Sequence, residues 1–193
     1  MNLNIPSLTG RVIFNLRGWS FEPLPEYWQP KQVIIGFPHT TILDTVMAFA
    51  GFAIVQQKGH VLVKREVFHW PYAGLLKKLG AIPVDRGSRS GLVSQMVDEF
   101  ARRDEFQLAM VPEGTRNGAR QLKTGFWHIA KAANVPIICW YLDNDRKKTV
   151  WAGRLMPGDS LVADLERIRK LYDKVGYQIQ GLEPAEAAVS VSK

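Results

Sequence analysis

The chain has 193 residues, 46% apolar and 22% charged, figures that suit one domain with a sizeable core and exclude disordered or collagen-like classes. Lysine and arginine number 25 against 18 acidic residues, a net charge of +7. That excess favours phosphate-bearing substrates, anionic lipid surfaces or nucleic acid as partners without choosing among them.

The amino-terminal residues lack a basic start followed by a long apolar stretch, so no signal peptide is expected. The longest nearly uncharged apolar run, residues 45–55, falls far short of the roughly 20 residues needed to cross a bilayer. A cytoplasmic protein without a transmembrane helix is expected, with peripheral contact at the membrane face left open. In residues 1–30, Pro6, Pro23, Pro25 and Pro30 interrupt the chain. Between them Leu8, Val12, Leu16 and Trp19 recur at helical spacing, near Arg11 and Arg17. Two readings stand: an amphipathic helix lying on lipid, or a helix packed on the domain itself.

From residue 32 the periods alternate. A β-branched run at 33–37 predicts a buried strand, and 41–55 a mostly buried helix. A strand is expected at 61–63, a helical stretch at 72–79 and a short extended piece at 81–84. Leu92, Val93, Met96, Val97, Phe100 and Ala101 mark an amphipathic helix over 88–103. A strand follows at 106–111, then a helix carrying Leu122, Phe126, Ile129, Ala130 and Ala133, then a strand at 135–142. That last strand holds the single cysteine, Cys139, read as a buried core thiol in keeping with a reducing compartment. Asp159 or Ser160 caps a final helix through 175. The alternation predicts one α/β domain with a mainly parallel central sheet flanked by helices. It spans 31–180, between an amino-terminal extension (1–30) and a loosely ordered tail (181–193). In such sheets ligands sit beyond the carboxyl ends of the strands.

Three expected strand ends carry unusual residues. The first runs into Pro38, His39, Thr40 and Thr41, with Asp44 three residues further on. Thr41 and Asp44 have capping-box spacing. His39 and Asp44 meet only if the histidine precedes the helix and the aspartate lies in its first turn, where side chains lean back toward the amino end. Asp44 would then hold the Nδ1–H and leave Nε2 free as a base; an ordinary imidazole, with a pKa near 6.5, accepts protons at neutral pH. The stretch 80–87 ends in Arg86 and Gly87, and an arginine there can hold a phosphate through paired hydrogen bonds. The stretch 106–111 ends in Pro112, Glu113, Gly114, Thr115 and Arg116: an acid, a flexible position, a hydroxyl and a second guanidinium. All are expected at one edge of one sheet.

With these residues the chain resembles the lysophospholipid and glycerol-3-phosphate acyltransferase superfamily, including 1-acylglycerol-3-phosphate acyltransferases. His39 to Asp44 matches its His-x4-Asp motif, 80–86 its second block, 111–116 its Pro-Glu-Gly-Thr-Arg block, and Val135, Pro136 and Ile137 its fourth. Lys123, Thr124 and Gly125 resemble the Lys-x-Gly that follows the third block. The blocks occur in family order over more than half the chain. Pro38 stands where the family commonly has asparagine, Thr41 where serine is usual, and Cys139 where proline is common.

The resemblance implies transfer of a fatty acyl group from an acyl thioester, acyl-CoA or acyl carrier protein, to a hydroxyl of a phosphorylated glycerol or lysolipid acceptor. His39 is implied as general base and Asp44 as its orienting partner. Arg86, Glu113, Gly114, Thr115 and Arg116 are implied to bind the acceptor's head group. No metal or cofactor beyond the co-substrate is expected: His39, His60, His69 and His128 lack ligand spacing. Lys64 and Lys123 are candidates for added positive charge. Phe37, Phe49, Phe52, Phe68, Trp70 and Leu75 are candidates to line an acyl groove. Residues 87–91 place Arg89 at the centre of what would be a Gly-x-Ser-x-Gly elbow, so no acyl-enzyme is expected. Two rival readings are a thioesterase, with water as acceptor, and a basic nucleic-acid-binding protein; the latter finds no zinc spacing or RNP-like block.

Overall fold

Val33, Ile34 and Ile35 are consecutive β-branched residues, and all three are buried in β1 (Lys31–Phe37). A computed structural model describes residues 5–37, 42–69, 71, 73–85, 89–112 and 123–179, with only the backbone described at 5–6, 42–45 and 89–90. Before β1 comes α1 (Ile5–Leu16), and after it α2 (Ile42–Ile54). Next are β2 (Gly59–Lys64), a 3-10 turn (Arg65–Val67), α3 (Ala73–Lys78) and β3 (Ala81–Val84). Then follow α4 (Arg89–Arg102), β4 (Phe106–Met110), α5 (Gly125–Ala132), β5 (Ile137–Asp143), β6 (Lys148–Leu155) and α6 (Leu161–Lys174). The six strands form one sheet in the order β3-β2-β4-β1-β5-β6, parallel except for β6. This is the α/β domain with a mainly parallel sheet that the sequence predicts.

β6 is the element the sequence reading leaves out. It pairs antiparallel with β5, meets the rest of the chain on its other side through an isolated parallel bridge of Lys148 with Ser20, contains Lys148 and Arg154, and holds Gly153 at φ 147°. An edge strand of this kind has no continuous apolar run to announce it.

The two faces of the sheet bury different halves of the molecule. Val33, Ile35 and Phe37 share a core with Met96 and Phe100 of α4, Phe126 and Ile129 of α5, and Ile168 and Tyr172 of α6. On the opposite face a smaller core joins Phe14 of α1, Met47, Ala50 and Ile54 of α2, and Leu142 of β5. At Gly10 the two helices touch: a Cβ there would lie 2.5 Å from the Ala50 carbonyl oxygen, so only glycine allows this approach. α1 therefore packs on the domain, while Leu8, Val12 and Leu16 remain exposed. Among the described residues no helix is long and apolar enough to cross a membrane.

At the opposite end of the strands His60 is buried, its ring 4.7 Å from that of Phe106. Its Nε2 lies 3.1 Å from Arg103 Nη1; arginine only donates, so this ring nitrogen accepts and the imidazole is neutral. Burial first, then the charges of Arg103 and Lys58, lower its pKa from 6.5 to about 4. The unfolded chain therefore takes up this proton below about pH 6.5, whereas the folded chain resists until about pH 4. Stability from this site is present above pH 6.5 and is lost as the pH falls across that window, by on the order of 1–3 kcal/mol. Urea unfolding should show this loss, and His60→Gln should flatten it; an unchanged slope in the variant would assign the effect to another group.

Candidate active site

Right-handed crossovers decide where the chain opens. β1 connects through α2 to β2, past β4 on one side; β4 connects through α5 to β5, past β1 on the other. Crossovers running in opposite directions must lie on opposite faces if both are right-handed. Accordingly α2 packs on one face and α5 on the other. Between the carboxyl ends of the adjacent strands β1 and β4 the sheet therefore has a topological switch point, the place where α/β sheets hold ligands.

The motif residues adjoin this point in the chain. His39 follows β1 by two residues, and Glu113 to Arg116 follow Pro112, two residues beyond β4. Ile35 sits opposite Met110, so the two strands run out at nearly the same level. Asp44 is the third residue of α2, in its first turn, the backbone position the proposed pairing with His39 requires. Arg86 follows β3, three strands from β1, or about 14 Å across the sheet. His39, Arg86, Glu113, Gly114, Thr115 and Arg116 themselves lie outside the described residues, as does the side chain of Asp44. Lys64 and Lys123 are both exposed. Arg65 and Asp85, which flank this edge, pair at 4.0 Å in solvent, a contact of little energetic weight.

An apolar cleft of about 800 Å³, counting its open mouth, runs between α2 and the sheet. Ile34 and Gly36 of β1, Ala109 of β4 and Val61 of β2 form its floor. Ala48, Phe49, Phe52 and Val55 of α2 form one wall, and Phe21, Trp28, Trp140 and Trp151 close the other side. Gly36 and Val111 both line it, so the cleft reaches the ends of β1 and β4. At Gly36 a Cβ would lie 3.0 Å from Trp140 Cε3; the missing side chain lets the indole lie over β1.

Of the groove candidates from the sequence, Phe49 and Phe52 line the cleft. Phe37 does not: it faces the other side of the sheet, 1% exposed, with its ring 5.2 Å from that of Tyr172. Alternation puts residues 33, 35 and 37 on one face and 34 and 36 on the other, and α2 covers the second. Phe68 and Leu75 also lie away from the lining, since they belong to the β2–β3 connection, and Trp70 falls outside the described residues. The aromatic lining residues missed in the sequence are Phe21, Trp28, Trp140 and Trp151. Trp140 shares parity with Ile138 and Leu142 and so the same face, a signal available once the strand is known. Cys139 is a buried free thiol, and burial pushes its pKa far up, which suits a core residue and not a nucleophile.

Comparison with known proteins gives the setting. The family model described as Acyltransferase matches residues 22–143. The 1-acyl-sn-glycerol-3-phosphate acyltransferase of Escherichia coli (strain K12) is 38% identical over 92 residues, 44% of this chain and 37% of that protein. The protein of the same name from Salmonella typhimurium is 35% identical over 102 residues, 49% of this chain and 41% of that one. The matched stretch thus spans less than half the length of these relatives. The crystal structure of the 1-acyl-sn-glycerophosphate (LPA) acyltransferase PlsC from Thermotoga maritima superposes with a TM-score of 0.60 at 13% identity, over 91% of this chain and 80% of that chain. That likeness establishes the fold.

Proposed function

Because this chain belongs to the acyltransferase family, we propose that it moves a fatty acyl group from an acyl thioester to a hydroxyl of a phosphorylated glycerol or lysolipid, as the names of its relatives suggest. One observation carries the reading. The apolar cleft opens at the ends of β1 and β4, the two strands that run into His39 and into Glu113 to Arg116.

In this reading the alkyl chain lies in the cleft, with its thioester at the switch point. His39 Nε2 takes the proton from the acceptor hydroxyl as the oxygen attacks the carbonyl carbon. The tetrahedral intermediate collapses, the carbon–sulfur bond breaks, and the proton passes from the imidazolium to the departing thiolate. Asp44, in the first turn of α2, orients the ring and stabilises its cationic form. Positioned base help of this kind is worth typically about 10²–10⁴-fold. Arg86 and Arg116 hold the acceptor's phosphate, and Glu113, Gly114 and Thr115 bind the rest of its polar head group. The donor is acyl-CoA or acyl carrier protein, and no further cofactor takes part.

Purified protein given labelled acyl-CoA or acyl carrier protein and a panel of acceptors should form an ester on a phosphorylated acceptor. His39→Ala should lower that rate by about 10²–10⁴-fold with an unchanged circular dichroism spectrum; a folded variant of normal activity removes the mechanism. Thioester loss at one rate with and without acceptor would instead identify a thioesterase. Arg116→Ala should raise the KM for the acceptor more than that for the donor, and unchanged constants would refute its role in head-group binding.

A further inference from the structure

The wall of the cleft away from α2 is carried in part by a segment outside the sheet. Residues 17–30 lead from α1 to β1, and Glu22 pins them to β6. Its carboxylate accepts from the Trp151 amide at 2.8 Å, its own amide donates to Thr149 Oγ1 at 2.9 Å, and its carbonyl accepts from Trp151 Nε1 at 3.3 Å. Ser20 adds two backbone hydrogen bonds: its amide donates to the Lys147 carbonyl at 2.9 Å, and its carbonyl accepts from the Thr149 amide at 3.1 Å. Phe21, between these two anchors, lines the cleft.

The Phe21 ring bridges helix and sheet. Against α2, a Cβ on Gly51 would lie 2.7 Å from Phe21 Cε2. Against α1 and β6, the ring meets those of Phe14 at 5.5 Å and Trp151 at 6.4 Å, both edge to face. Glycine in a helix interior is less stable than alanine, and Gly51 has no positive φ that would call for it. What its missing side chain provides is a notch for this ring. Gly51 follows Asp44 by seven residues, about 10 Å along the helix. The ring therefore stands inside the cleft and not at its mouth. Behind it Phe14, Met47 and Ala50 fill the space with their own core.

An alkyl chain that enters at the switch point and runs along α2 meets this ring. We propose that Phe21 sets the length of acyl chain accepted from the donor, with the Gly51 notch and the Glu22 anchor fixing where the ring stands. The inference rests on the reading that the cleft holds the acyl chain. It adds a limit: saturated donors that end at the ring are favoured over longer ones. A wall backed by a packed core yields little, so each methylene beyond it must bend back or stay in water. Two substitutions act in opposite senses. Phe21→Ala removes the ring and opens only the space it filled. Gly51→Ala pushes the ring off α2, and with Phe14 and Trp151 on its other sides the ring has only the cleft to move into.

The test is a series of saturated acyl thioesters on one carrier, lengthened two carbons at a time, at fixed acceptor. In the unaltered protein kcat/KM should fall beyond an optimum length. Phe21→Ala should move that optimum to longer chains. The donor two carbons longer should gain about tenfold over the original optimum, since each newly buried methylene is worth about fourfold. Gly51→Ala should move the optimum to shorter chains. Because each profile is a set of ratios within one variant, loss of folded protein cancels. A flat profile in the unaltered protein would overturn the inference, as would a profile left unchanged by either substitution or shifted the same way by both. Phe52→Ala, on the α2 wall of the same cleft, separates the two levels. If it alters the length profile while Phe21→Ala does not, the cleft holds the chain and the inference alone fails. If neither alters it, the cleft reading and the inference fail together.

Discussion

The handedness of two crossovers governs the carboxyl edge of this sheet. β1 and β4 lie side by side and end at nearly the same level, yet their continuations depart to opposite faces because their partner strands lie in opposite directions. No side-chain interaction is needed to open the space between them; the twist of the strands and the chirality of the helices require it. α2 packs over one face, so its first turn, with Asp44, stands beside the same opening. The cleft, the start of α2 and the two motif-bearing connections therefore share one cause.

The core keeps that edge in place. Tyr172 of α6 is fully buried; its hydroxyl accepts from the Trp140 amide at 3.1 Å and donates to the Ile35 carbonyl at 3.1 Å. It does so where the β5–β6 register shifts between Cys139 and Trp140. A side chain from one face thus anchors the strand whose Trp140 lies across Gly36 on the other. Packed cores transmit such placements with little slack, so the width of the cleft depends on residues that never touch a ligand there. At Asp164 burial pulls the carboxyl pKa up, but hydrogen bonds from Trp127, Gly158 and Arg167 outweigh it and hold the carboxyl below its ordinary range. This fixes α6 against α5.

Much of the architecture was legible because periodicity is local. The runs at 33–37 and 106–111 read as strands, and the helical spacing from Leu92 to Ala101 recurs in α4. Strand order was not legible, since neighbours are chosen by crossovers and not by any one segment. The same gap explains the misplaced Phe37: its parity with Val33 and Ile35 was visible, but which face would carry the cleft depends on where α2 crosses. β6 escaped because it is an edge strand entered through a turn at 144–147, with Lys147 at φ 48°. The motif residues were legible as chemistry through their resemblance to a family. Of them the fold supplies the position of Asp44 in its helix and the strand ends that precede the others.

In the proposed arrangement the acyl chain lies in the cleft between α2 and the sheet, with its thioester at the switch point. Photocrosslinking with an acyl-CoA bearing a diazirine partway along the chain tests this most directly. Labelled peptides should contain Phe49, Phe52 or Trp140. Label confined to α4 or α6, on the far face of the sheet, would contradict it.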